Sequence, residues 1–140
     1  MLRRVLVVAV VAFASTAGVA NAQPKVATAP IKQTSPADAK EMFDSYCAVC
    51  HGKEAKGNGP AAAALTKAPA DLTRISARNK GTFPDVRVRR FIEGLDEVAA
   101  HGTRDMPIWG GLFRSLNAQN PDIAQIRIAA LTNYLKSLQQ

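Results

Sequence analysis

The sequence contains few cysteines, histidines and aromatic residues. Its 140 residues include two cysteines, two histidines and one tryptophan, and only 6% are aromatic. Two cysteines can form at most one disulfide, which excludes a disulfide-stapled scaffold. The chain is 47% apolar and 21% charged, which excludes collagen-like, coiled-coil and wholly disordered classes. The length favours a single domain.

Long hydrophobic runs are also missing. The most apolar stretch, taken generously as residues 5–20, gives about 24 Å of helix, which is short of a hydrocarbon core of roughly 30 Å. It follows a short positive start and leads to Ala20-Asn21-Ala22, a small-x-small cleavage pattern. These are the three regions of a secretory signal peptide, so we predict that residues 1–22 are cleaved after about Ala22 and that the protein is periplasmic.

Cleavage changes the charge and the setting of the cysteines. Loss of Arg3 and Arg4 lowers the formal charge from +7 to +5. We expect no nucleic-acid partner because no reading motif is present, and no stable membrane insertion. A modest basic field favours acidic protein surfaces, although the candidate docking arginines, at positions 87, 89 and 90, are more often only solvated surface. The exported compartment is oxidising, so both cysteines need a chemical explanation.

The mature chain is predicted to be helices joined by long loops rich in glycine and proline, because no segment alternates like a strand. Residues 23–35 are predicted to be a flexible leader and residues 36–140 one domain. Ser35 as N-cap and Pro36 at the first position predict a helix to about Tyr46. Another helix is expected from Pro84 to about residue 92, ended by Gly94. Its predicted apolar set is Val86, Phe91 and Ile92.

The last helix has the clearest pattern. Asn120 caps it and Pro121 occupies its first position. Its predicted buried stripe comprises Ile123, Ile126, Ala130, Leu131, Tyr134 and Leu138. Residues 61–66 are predicted to form a short helix, whereas residues 52–60, 68–81 and 94–120 are predicted to be loops. Such long irregular stretches are unusual in a small domain, and become reasonable if they wrap something that replaces a protein core.

The segment Cys47-Ala48-Val49-Cys50-His51 explains both cysteines, because it is the attachment pattern of a c-type haem. Two thiols three positions apart at the end of a helix can each add to a vinyl group on the porphyrin edge. The next residue, His51, can then bind the iron through an imidazole nitrogen. We predict one haem c per chain, attached through Cys47 and Cys50, with His51 as an iron ligand.

Three other interpretations of the cysteine pair are weaker. A thioredoxin-like redox pair normally lies in a βαβ pattern, which is absent from this sequence. Half of a zinc site would need two more ligands at short spacing, and His101 is the only other candidate. A small structural disulfide remains open, but export favours haem, since c-type attachment occurs after export.

A pure electron carrier needs a sixth iron ligand, and Met106 is the best candidate. It lies 55 residues after His51 in a glycine-rich loop that can wrap the far side of the ring. Met42 is too close to Cys47 in sequence to reach that side. His101 is expected to bond within the loop; as a competing ligand it would lower the reduction potential, whereas Met/His ligation raises it.

These features resemble the class I cytochromes c, which are small monohaem electron carriers of the bacterial periplasmic type. The resemblance covers about residues 37–138. It rests on Phe43-x-x-x-Cys47-x-x-Cys50-His51-Gly52, Gly57-x-Gly59-Pro60, Met106-Pro107-x-Trp109-Gly110 and Tyr134-Leu135-Lys136-Ser137-Leu138. It implies an all-α cytochrome c fold, with three to five helices joined by long loops around one covalently bound haem.

The resemblance also implies roles for four further residues. The first and last helices would cross near the attachment site, with Phe43 and Tyr134 packed at the crossing. The Pro60 carbonyl would accept a hydrogen bond from the proximal histidine. Trp109 would cover the haem edge or reach a propionate, unless it is only a packed core residue.

The function that follows is one-electron transfer, with iron cycling between Fe(III) and Fe(II). The carrier would shuttle electrons between periplasmic redox proteins in a respiratory or dehydrogenase chain, as a monomer or in transient complexes and without a substrate of its own. One alternative is a haem c subunit of a larger oxidoreductase. Another is a ligand-binding or peroxidatic haem protein, in which Met106 dissociates from the iron.

Overall fold

The computed structural model describes residues 30–96 and 106–140. The predicted signal peptide, most of the predicted leader and His101 lie outside these residues. Every regular element within the two described ranges is helical, which confirms the all-α prediction. No helix in this part of the chain combines the length and apolarity that crossing a membrane requires.

The first helical stretch runs without a break through the cysteine motif. It consists of α1 (Ala39–Met42), a π-helical turn (Phe43–Cys47) and α2 (Ala48–His51). The prediction that it ends near residue 46 is therefore wrong, because the π turn carries the helix on into the motif. Single π turns of this kind are frequent at functional sites.

The cap of this helix also differs from the prediction. Asp38 is the N-cap, and its carboxylate accepts a hydrogen bond of 2.8 Å from the Glu41 N–H. Ser35 lies in a preceding turn, where its hydroxyl accepts from the Ala37 N–H at 3.2 Å. The chain turns through Pro36 before it becomes helical, so the first free amide groups face Asp38 instead.

The remaining elements are short except for the last. They are two 3₁₀ turns (Ala62–Ala64 and Leu72–Arg74), α3 (Ile75–Arg78), α4 (Asp85–Glu93), α5 (Trp109–Leu116) and α6 (Asp122–Ser137). Gly94 ends α4 in the left-handed conformation at φ 82°, as predicted. Sequence reasoning missed α5 and α3, which lie in stretches that were predicted to be loops.

The crossing of the first helical stretch with α6 forms the centre of the core. The rings of Phe43 and Tyr134 contact each other there, with centroids 5.4 Å apart, which confirms the pairing implied by the resemblance. The buried apolar side chains are Met42, Phe43, Tyr46, Ala48, Ala55, Phe83, Val88, Ile92, Phe113, Ala124, Ile128, Leu131 and Leu135.

The predicted apolar faces of α4 and α6 are only partly correct. In α6 the buried residues are Ala124, Arg127, Ile128, Leu131, Thr132 and Leu135, so of the predicted stripe only Leu131 is fully buried. Ile126 is 54% exposed and Val86 of α4 is 73% exposed, while Val88 is buried in its place. Helix α6 packs against α1, α4 and α5, and this wide contact arc buries residues that an apolar stripe does not include.

The N-terminal segment, defined here as residues 31–34, packs against the helices. Ile31 contacts the core, and Thr34 is buried. Lys32 bonds to Glu41 at 3.1 Å, and Gln33 to the Leu116 carbonyl at 3.5 Å. These residues are fixed by polar contacts that composition does not reveal, unlike the flexible leader predicted for this region. The predicted start of the domain at residue 36 stays a prediction, because residues 23–29 lie outside the described residues.

Candidate haem site

A cavity of about 920 Å³ brings the four predicted site residues together. Cys47, Cys50 and His51 line it from the first helical stretch, and Met106 lines it from the segment before α5. Apolar side chains make up much of the remaining lining: Phe43, Val49, Leu65, Leu72, Ile75, Val88, Phe91, Ile92, Ile108, Leu131 and Leu135. The volume falls in the range of pockets that enclose a bound small molecule, about 300–1,000 Å³.

Cys47 lies in an environment that favours the protonated thiol. Both cysteines are free and partly buried. Burial raises the pKa of Cys47 to about 12, and the neighbouring Cys50 adds a smaller rise. Cysteines of thiol–disulfide redox pairs instead have lowered pKa values, which make them nucleophilic. The environment of Cys47 therefore argues against a thioredoxin-like pair.

His51 is held in the form that binds a metal. Its Nδ1 donates a hydrogen bond to the Ala70 carbonyl at 3.0 Å, which places the proton on Nδ1 and leaves the Nε2 lone pair free. Burial lowers the pKa of His51, and the bond to Ala70 opposes this with a smaller effect. The imidazole is thereby favoured as neutral and fixed in orientation.

The acceptor is not Pro60, as the resemblance implied. Pro60 is exposed, and the Ala70 carbonyl takes its place. The backbone on either side of Pro60 is engaged elsewhere, since the amides of Gly59 and Ala61 donate to carbonyls of the motif helix. No side-chain signal in the sequence marks this acceptor, because it is a backbone carbonyl.

The loop after the motif closes the end of α2. Its backbone amides donate to three successive helix carbonyls: Gly57 to His51 at 2.7 Å, Gly59 to Cys50 at 3.0 Å and Ala61 to Val49 at 2.9 Å. The last carbonyls of a helix otherwise lack partners. This loop therefore satisfies them and fixes the backbone that carries the imidazole.

Gly59→Ala should disrupt this closure. A Cβ at position 59 would lie 2.5 Å from the Val49 oxygen and 2.6 Å from the Ala48 oxygen, so the loop must move. We expect a loss of about 1–3 kcal/mol in the free energy of unfolding, the usual cost of overpacking, measured by denaturant titration of the haem-loaded protein. Gly111→Ala is the control, because nothing lies within 4 Å of its Cβ. An unchanged unfolding midpoint for Gly59→Ala would contradict the proposed role of the loop.

The cavity wall beside Met106 is built from packed aromatic rings. The Trp109 ring lies 5.4 Å from the Tyr46 ring and 5.6 Å from the Phe113 ring, centroid to centroid. Trp109 and Tyr46 both line the cavity. Helix α5 also packs against Glu93 of α4, which lies against Gly110. Glu93 in turn accepts a 2.8 Å hydrogen bond from Gln125 of α6. Met106 thus precedes a firmly packed helix by three residues.

The residues present fit a covalently attached haem. Two thiols, an imidazole whose Nδ1 is already bonded and a thioether all line one largely apolar cavity. Cys47 and Cys50 would hold the group as thioethers, with His51 and Met106 as the predicted iron ligands. Such a group supplies reversible one-electron chemistry, and its surroundings tune the potential.

A helical chain with a Cys-x-x-Cys-His helix at the wall of such a cavity defines a c-type cytochrome. The family described as cytochrome C oxidase, cbb3-type, subunit III, matches residues 34–120. This is more than half of the chain, and the chain belongs to that family. Comparisons with curated proteins and with solved structures gave no match. The protein is therefore a c-type cytochrome that carries haem c and transfers electrons between redox partners.

Proposed function

We propose that the protein is exported to the periplasm and shuttles single electrons between a donor and an acceptor protein, with no substrate of its own. The observation that carries this proposal is the meeting of Cys47, Cys50, His51 and Met106 at one cavity. His51 and Met106 would both bind the iron and so would leave no position on it open for a substrate. A soft thioether ligand in apolar surroundings favours the Fe(II) state.

The surface next to the cavity supports brief encounters with partner proteins. Val49 is 50% exposed and Ile108 is 42% exposed, and both also line the cavity. The cavity wall therefore reaches the surface at these two side chains, where an electron can pass to a docked partner. Encounters of this kind use small interfaces, below about 1,200 Å².

A second candidate function is that of a haem subunit in a larger oxidoreductase. It is favoured by the description of the matched family, which names a subunit of a cytochrome oxidase. The same site would serve in both cases, and the difference lies in whether a partner stays bound.

Expression of the full 140-residue chain in a bacterium that matures c-type cytochromes tests the proposal. We expect haem-stained protein in the periplasmic fraction, a mature chain that begins near Gln23 and a monomer by size-exclusion chromatography.

A stable partner that co-purifies through these steps would favour the subunit instead. Retention in the cytoplasmic fraction, with an intact N-terminus, would refute export. Rapid carbon monoxide binding to the Fe(II) form would support the ligand-binding alternative.

A further inference from the structure

Arg127 is a buried cation with no counter-charge among the residues that the structure describes. It lies in α6, is 1% exposed and is the one charged side chain among the buried residues of the described ranges. Its Nη1 donates to the Thr34 hydroxyl at 2.8 Å and to the Met42 sulfur at 3.4 Å, and its Nη2 donates to the Thr34 carbonyl at 2.7 Å. Its Nε has no hydrogen-bond partner among the residues that the structure describes.

The acceptors of this guanidinium in the described part of the chain are all neutral. Within residues 30–96 and 106–140 no carboxylate lies within 4.0 Å of it, and the carboxylate ion pairs found there, such as Lys136–Asp85, are solvent-accessible. Burial of a charge without a paired opposite charge is costly. The N-terminal segment offsets part of this cost by supplying two oxygens of Thr34 as acceptors.

Contacts and helix spacing link Arg127 to residues of the cavity wall. Leu131 follows Arg127 by one helical turn of α6, about 6 Å along the axis, and lines the cavity. Met42, which accepts from the guanidinium, precedes Phe43 of the cavity wall. A third connection runs through Thr34, whose hydroxyl pairs with the Tyr46 hydroxyl at 2.8 Å, and the Tyr46 side chain also lines the cavity.

We propose that Arg127 is a fixed internal charge that raises the reduction potential of the haem site, and that the N-terminal segment supplies acceptors that stabilise it in the interior. The inference rests on the proposed electron-transfer function. Reduction adds one electron from the donor protein and removes one unit of positive charge at the iron. A nearby positive charge therefore favours the reduced state, and charges in a protein interior are screened far less than exposed ones.

Removing the charge tests the proposal in the haem-loaded protein. Arg127→Met keeps an unbranched side chain of similar length, while Arg127→Lys keeps the charge. For Arg127→Met we expect the Fe(II)/Fe(III) ratio at a fixed ambient potential to fall about tenfold, which is about 59 mV for one electron. A single buried unit charge, acting at the effective dielectric constant of about 20 that suits protein interiors, has an effect of this order. Arg127→Lys should stay close to the wild-type potential, even where its unfolding midpoint falls.

A compensating charge gives an independent test that leaves Arg127 in place. Thr34→Asp puts a carboxylate beside the guanidinium, and Thr34→Asn is its neutral counterpart of the same shape. We expect the aspartate variant to lower the potential relative to the asparagine variant. This pair decides the question if Arg127→Met does not fold.

Two results would overturn the proposal. One is equal potentials for the methionine and lysine variants, and the other is equal potentials for the aspartate and asparagine variants. A merely structural role of Arg127 would change the unfolding midpoint in all four variants without sorting the potentials by charge. The visible spectrum of the wild-type protein tests the electron-transfer function separately. A wild-type chain without covalent haem would refute that function, whereas potentials that do not follow the charge in a haem-loaded protein would refute only the role of Arg127.

Discussion

Replacing Met106 with alanine is expected to abolish the low-spin spectrum of the Fe(III) protein and to lower its reduction potential sharply. The variant should still hold haem covalently, because Cys47 and Cys50 are unchanged. The far-red absorption band of a methionine–Fe(III) bond should disappear. The reason is that a thioether stabilises Fe(II) relative to Fe(III), and its replacement by water removes that preference. Visible spectroscopy and a redox titration measure both effects.

Met42→Leu is the matched control for this experiment. Met42 is fully buried, and its sulfur accepts a hydrogen bond from Arg127, so we do not expect it to bind the iron. Its replacement should therefore leave the far-red band in place. An unchanged spectrum for Met106→Ala would refute the assignment of this ligand. A low-spin spectrum without the far-red band would instead identify a nitrogen ligand, for which His101 is the candidate. The double variant Met106→Ala/His101→Ala should then become high-spin.

The parts of the fold that depend on neighbours in sequence could be predicted. The cysteine motif, the left-handed Gly94 at the end of α4 and the start of α6 are all local signals. The start of α6 was predicted one residue early, since Pro121 and not Asn120 is its N-cap and the helix begins at Asp122. The Phe43–Tyr134 contact joins distant residues, and it was reached only through the resemblance. The four site residues line one cavity, which agrees with the prediction that they hold one haem. The roles of His51 and Met106 as iron ligands stay predictions.

The parts that could not be predicted depend on contacts across the fold. Helix α5 begins at Trp109 and contains Gly110 and Gly111, which disfavour a helix locally. Close packing overrides this, because a Cβ on Gly110 would meet Glu93 of α4 at less than 3 Å. The acceptor for His51 was misplaced for a similar reason. A backbone carbonyl has no side-chain signature, so the sequence alone does not distinguish Ala70 from Pro60.

Arg127 is the clearest case of a residue whose role the sequence conceals. It lies between the apolar residues Ile126 and Ile128, and its charge suggests the solvent side of α6. In the structure Arg127 is buried while Ile126 is 54% exposed. The Thr34 oxygens, more than 90 positions away in sequence, provide the partners that make this possible. A prediction from the pattern of apolar residues places charged side chains in water. It fails for Arg127, because a backbone carbonyl that is distant in sequence supplies a buried acceptor.

Replacing both Cys47 and Cys50 with alanine is expected to eliminate covalent haem altogether. Each thiol provides one thioether, and no other cysteine exists in the sequence. The double variant should therefore lose all haem staining on a denaturing gel, while each single variant should retain a reduced amount through its remaining thioether. The haemochrome spectrum of a single variant should shift to longer wavelength, since one vinyl group stays unsaturated.

Val49→Ala is the control, because Val49 lies between the two cysteines and is half exposed. It should stain like the wild type, which would show that the loss follows from the thiols and not from damage to the helix. Haem that stays with the double-alanine chain through denaturation would refute attachment at these cysteines. The same variants also decide against a structural disulfide: a disulfide-dependent protein would be destabilised by either single substitution without any change in its haemochrome. A thioether-linked protein must change its haemochrome with each thiol removed, because the thiols and the vinyl groups react one to one.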